Sequence, residues 1–143
     1  METSEVIAGE VAVSSVSTIS VLRPKSVQVA PLAEGRHECV LSVADVGGAV
    51  REARGVGSDV ASSILCAAEH LFAEMGKPCE LEAGPVRAQD GIQHCLAARV
   101  RCQRGGYAFM VGGKDKDPNL AWANLLFAAF NSWQRGVRPT RRF

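Results

Sequence analysis

This chain has no long apolar run: nowhere do the ~18 consecutive apolar residues of a membrane span occur. It also lacks an excess of either charge. Lys and Arg total 16 against 15 Asp and Glu, a net charge of +1, so no global field draws it to nucleic acid or an anionic surface. The N-terminus carries Glu2, Glu5 and Glu10 where a secretory signal carries positive charge before an apolar stretch. A cytoplasmic protein is the expectation.

Paired cysteine spacing is missing as well. Cys39, Cys66, Cys79, Cys95 and Cys102 form neither a C-x2-C pair nor, with histidine, a zinc pattern. They read as reduced thiols serving as small buried hydrophobes. No Gly-Lys-Ser/Thr follows the glycine clusters, so there is no Walker loop, and no dinucleotide fingerprint occurs. His37, His70 and His94 have no nucleophile at a recognised spacing. Glu80 and Glu82 share a strand face that solvent explains equally well. The expectation is a non-catalytic chain without cofactor or metal.

What the chain does have is an internal repeat. Strand-like segments lead to Gly55-Val56-Gly57-Ser58-Asp59 and a helix; about 56 residues later, further strand-like segments lead to Gly112-Gly113-Lys114-Asp115 and a second helix. At 143 residues with 47% hydrophobic and 22% charged content, the chain is one globular domain, too short for a β/α barrel enzyme. The expected fold is α+β: two β-β-β-α units whose antiparallel sheets pack against helices. Residues 1–12 read as a lead-in, 13–76 as the first unit, 77–135 as the second and 136–143 as a basic tail.

Local signals fill in the units. Pro24 interrupts a Val- and Ser-rich stretch, which implies an edge strand or two short strands about a bend. Cys39, Leu41 and Val43 alternate as a strand, Asp45 to Gly48 form a hairpin turn, and residues 49–54 return and end at Gly55. Ser58 or Asp59 caps a helix whose stripe is Val60, Ile64, Ala67, Ala68, Leu71 and Met75, stopped by Gly76 and Pro78. In the second unit Gly84-Pro85 breaks the first strand. Leu96, Ala98, Val100 and Cys102 face inward, Arg104 to Gly106 make a hairpin tip, and Tyr107, Phe109 and Val111 form the inward set of the return strand. Asp117 caps the second helix, with Pro118 at its first position.

That second helix is apolar on most of its circumference. Leu120, Ala123, Phe127 and Phe130 make one stripe; Trp122, Leu126, Ala129 and Trp133 make another. Its sheet covers one stripe, and the first helix or a second chain covers the other. The preferred expectation is a homodimer with Trp122, Leu126, Ala129 and Trp133 at the interface. The two strand-to-helix junctions are the candidate site, because free helix N–H groups suit a carboxylate or phosphate. Their glycines either let backbone approach a ligand or simply make turns.

The stretches Ala53-Arg54-Gly55-Val56-Gly57-Ser58-Asp59-Val60 and Val111-Gly112-Gly113 through Asn119-Leu120-Ala121-Trp122-Ala123 resemble the helix openings of one family. It is the C-terminal regulatory (allosteric, dimerisation) domain of α-isopropylmalate synthase and citramalate synthase. The resemblance spans roughly residues 16–135 and departs from the family at Ser58, where proline is usual, and at the longer junction through Lys116-Asp117-Pro118. It implies a pair of β-β-β-α units binding leucine or isoleucine for feedback control of leucine biosynthesis, free-standing or excised because 143 residues leave no room for the catalytic barrel. The ligand would lie between the units near both helix N-termini. Gly55, Val56, Gly57, Ser58, Asp59 and Val60 would line one side, and Gly112, Gly113 and Asp115 the other. Val56, Val60 and Leu120 would supply apolar wall, and a separate synthase subunit is an implied partner.

Two readings compete. From the first helix onward the order α-β-β-β-α is also that of a double-stranded RNA-binding domain, with Gly113-Lys114-Asp115-Lys116 as its basic junction. Alternating acids and a lysine-free second helix oppose it. The other is a pure assembly module without ligand.

Overall fold

The computed structural model describes residues 21–89, 91–103 and 107–136. The lead-in, the hairpin tip at Arg104 to Gly106 and the tail beyond Gly136 lie outside the described residues. Proline shapes the first sheet's border. Among the described residues, strand β1 (Leu22–Pro31) pairs only with β2 (His37–Asp45), and its register shifts between Pro24 and Ser26. Pro24 has no N–H to offer the ladder, so an edge position with a bulge accommodates it. β2 is the central strand, with Cys39, Leu41 and Val43 buried. Asp45 Oδ1 accepts the Ala49 N–H at 3.0 Å, and Gly48 turns the chain at φ +89° into β3 (Val50–Gly57). The order is β1-β2-β3, all antiparallel.

Helix α1 (Val60–Glu74) follows, capped by Asp59, whose carboxylate accepts the Ser62 N–H at 2.7 Å. Its buried face is Ser63, Ile64, Ala67, Ala68, Leu71 and Phe72, close to the predicted stripe. Gly76 at φ +78° ends it, and the Lys77 N–H reaches back to the Phe72 carbonyl at 3.0 Å.

The second unit repeats the plan with a split first strand. β4 (Glu82–Ala83) and β5 (Arg87–Gln89) both pair with β6 (His94–Arg101), which pairs with β7 (Ala108–Asp115). Pro85 lies in the gap between β4 and β5. Ala98, Val100, Cys102 and Phe109 are buried, but Tyr107 is 71% exposed and precedes β7. The predicted inward set therefore begins at Phe109. Helix α2 (Pro118–Gln134) takes Asp117 as its cap and Pro118 in its first turn. This α+β arrangement of two β-β-β-α units matches the sequence expectation.

The second stripe of α2 is covered by the chain itself. Trp122, Leu126 and Ala129 are buried, Trp133 is half-buried beside Phe130, and Phe130 stacks on Phe72 of α1 with ring centroids 3.7 Å apart. Phe127 meets Phe72 edge-on at 5.2 Å, and the Trp122 indole N–H donates to the Ala61 carbonyl at 3.1 Å. The Asn131 side chain clasps both the N–H and the carbonyl of Leu22 in β1. α2 thus packs on its own sheet, α1 and the edge of the first sheet. The need for a second chain, inferred from this stripe, falls away. α1 rests on β2 and β3, not on the second sheet, so residues from α1 onward do not form the self-contained α-β-β-β-α module of the RNA-binding reading.

Glycine sets how closely each helix meets its sheet. A Cβ on Gly113 would lie 2.5 Å from the Leu125 nitrogen and against the Ala121 carbonyl, both in α2 backbone. Replacing Gly113 with Val should cost about 3 kcal/mol, read as a lower urea midpoint. Gly91→Ala, where a Cβ meets nothing within 4 Å, should leave the midpoint in place. An equal response from both variants would mean that the close approach is not needed.

Candidate ligand cleft at the helix N-termini

Three contacts fix how the helices run. Ala61 meets Trp122 near their N-termini, Phe72 meets Phe127 and Phe130 further along, and Lys77 Nζ donates to Gln134 Oε1 at 2.7 Å just past α1 and at the end of α2. The helices are parallel, with both N-termini at one end. Two positive dipole ends side by side repel, and each is met by a carboxylate. Asp59 caps α1. Asp117 accepts the Asn119 N–H at 2.9 Å in α2, while Asp115 accepts the Asp117 N–H at 3.0 Å. Hydrogen bonds from the Ser62 backbone and then its side chain hold the Asp59 carboxyl below its ordinary range.

Between these N-termini lies a cavity of about 330 Å³, walled by Val60, Ala61 and Ile64 of α1, Pro118, Asn119 and Trp122 of α2, and Val86 and Leu96 of the second sheet region. Its walls are apolar apart from Asn119, because the Trp122 N–H is already bonded to Ala61. The volume is at the lower end of ordinary small-molecule sites. A second, more open hollow of about 460 Å³ is lined by Cys95, Gly112, Gly113, Lys114 and Asn124, with Leu96 common to both.

The predicted site residues divide. Val60 lines the cavity, and Gly112 and Gly113 line the neighbouring hollow. Gly55 and Gly57 do neither: they lie inside β3, which runs through both and does not end at Gly55. A Cβ on Gly55 would lie 2.7 Å from the Ser63 carbonyl, and one on Gly57 would lie 2.5 Å from the Ser63 nitrogen. The close approach they permit is to α1 of their own chain, within strand β3 and not in a turn. Val56 points to the opposite, exposed face of β3, Ser58 is exposed beside the Asp59 cap, and Leu120 is half-buried against the core. Asp59 and Asp115 accept N–H groups at the two helix starts, so the Ser62 and Asp117 amides are already taken.

Ala61, Ile64, Val86, Leu96, Asn119 and Trp122 escaped the sequence reading as site residues. The i, i+4 step from Val60 to Ile64 and from Pro118 to Trp122 was the available signal, and it is equally the signature of core. His70 also differs from expectation. Four residues after Cys66, it lies with Nε2 3.6 Å from that sulfur and Nδ1 2.7 Å from the Arg54 carbonyl. A nucleophile does stand at helical spacing.

No known family model and no curated protein matches this chain. Among the described residues, no cluster of three or more His, Cys, Asp or Glu is placed to hold a metal ion, and no helix is long and apolar enough to cross a membrane.

The Asp59 cap makes a testable contribution. Its folded pKa lies below the unfolded value of about 3.9, so its stabilisation is complete above that value and lost as pH falls through the folded one. Asp59→Ala should lower the thermal midpoint at pH 7, and the difference should shrink on acidification. A difference independent of pH would assign the effect to something other than the carboxylate.

Proposed function

We propose that this chain is a non-catalytic regulatory module that binds a branched-chain amino acid, leucine or isoleucine, in the cavity between the two helix N-termini. The observation that carries the reading is the cavity itself. Both units contribute walls, its lining is almost wholly apolar, and it sits at the end where the resemblance to the synthase regulatory domain places a ligand. A branched aliphatic side chain fits such a lining, where each buried CH2 contributes about 0.8 kcal/mol. Asn119 offers an amide for the polar end of the ligand, and the carboxylates of Asp59, Asp115 and Asp117 at this end of the molecule favour an ammonium group. The ligand's carboxylate is not given the capped amides of Ser62 and Asn119, which is a departure from the simplest helix-terminus scheme. Feedback control of a synthase-type partner is the corresponding role.

Thermal unfolding with leucine, isoleucine or valine tests the reading. At a hundredfold excess over Kd, a ligand selective for the folded state adds about 2.7 kcal/mol and raises the midpoint. Val86, 44% exposed and outside the main core, is the residue to vary. Val86→Trp should fill the cavity mouth and abolish the shift while leaving the ligand-free midpoint near that of the wild type. No shift with any of the three amino acids would overturn the proposal in favour of an assembly module. An undiminished shift in the variant would move the site elsewhere.

A further inference from the structure

We infer that Cys66 and His70 form a nucleophilic thiol site for thiol–disulfide exchange with small disulfides, separate from the cavity above. Three groups stand in line. The Arg54 carbonyl, 2.7 Å from His70 Nδ1, accepts only, so Nδ1 carries a proton and donates it. In the neutral ring Nε2 is then the acceptor, and the Cys66 thiol, 3.6 Å away, donates to it. A thiol on a base whose other nitrogen is fixed by a third group is the arrangement that activates a nucleophile.

The fold holds this line rigidly. Cys66 and His70 lie four residues apart on α1, one above the other. Arg54 is in β3, the edge strand of the first sheet, and Gly55 brings that strand against α1, where a Cβ would lie 2.7 Å from the Cys66 carbonyl carbon. The ring is exposed and the sulfur half-buried, and an open groove of about 670 Å³ lined by Glu52, Arg54, His70 and Glu74 runs along the imidazole. The nearby thiol of Cys39 differs. Burial, with a smaller effect from Cys66, pushes it up to about 11, which keeps it protonated and inert.

The exchange balances without any further reactant. As Cys66 Sγ attacks one sulfur of RS–SR, its proton passes to His70 Nε2, and the imidazolium stays bonded to the Arg54 carbonyl. The S–S bond breaks, a Cys66–SR mixed disulfide forms, and the leaving RS⁻ takes the proton from His70 as RSH. One disulfide is consumed and one is made.

Glutathione disulfide is the probe, with each cysteine's rate followed by peptide mass spectrometry in the folded chain and in urea. Burial alone makes a thiol slower when folded, as Cys39, Cys79 and Cys102 should be. Cys66 should instead react about tenfold faster folded than unfolded, a conservative share of what a positioned base contributes. His70→Gln should remove that acceleration while the three buried thiols stay protected, which shows the fold intact. Cys66 reacting no faster folded than unfolded would overturn the site, as would an acceleration that survives His70→Gln.

Discussion

The contact on which most of this structure depends is the stack of Phe72 on Phe130, with Phe127 edge-on beside it. These rings join α1 of the first unit to α2 of the second. Alone, each unit would expose one face of its helix; together they bury both. Aromatic burial contributes about 1.5–3 kcal/mol per side chain, with about 0.5–1.5 kcal/mol more for ring geometry. Because the helices run parallel, the same seam brings both N-termini to one end and opens the cavity between them.

That arrangement has an electrostatic cost. Parallel helices place like dipole ends together, and the sequence answers with Asp59 and Asp117 at the N-termini and with Lys77 and Arg135 just past the C-termini. It has a steric condition too. Gly55, Gly57 and Gly113 remove the side chains that would hold each helix off its sheet. A helix lying so close to strand β3 also explains how the His70 ring reaches the Arg54 carbonyl.

Much of this architecture was legible from residues whose effect is local. Asp59, Asp117 with Pro118, Gly76, Pro24 and Gly84-Pro85 act through their own backbone geometry, and each marks a boundary or interruption where the structure has one. What could not be read was the identity of partners. Periodicity reveals that α2 has two apolar stripes but not that α1 and β1 cover the second. A glycine announces close approach but not to what; here the neighbour is a helix backbone where a ligand was expected. Tyr107 alternates correctly with Phe109 and is nevertheless exposed, because its strand begins one residue later. The candidate site was legible only as a place, the shared end of the helices, and of the residues named there Val60 lines the cavity.

The most direct measurement of whether the helix seam unites the two units is urea unfolding of Phe72→Ala beside the wild type. Tryptophan fluorescence, which reports α2 through Trp122 and Trp133, and far-UV circular dichroism would be followed together. The predicted result is a single coincident transition for both probes and a loss of about 3–5 kcal/mol in the variant. Separate transitions in the wild type, or a variant within 1 kcal/mol of it, would contradict the account.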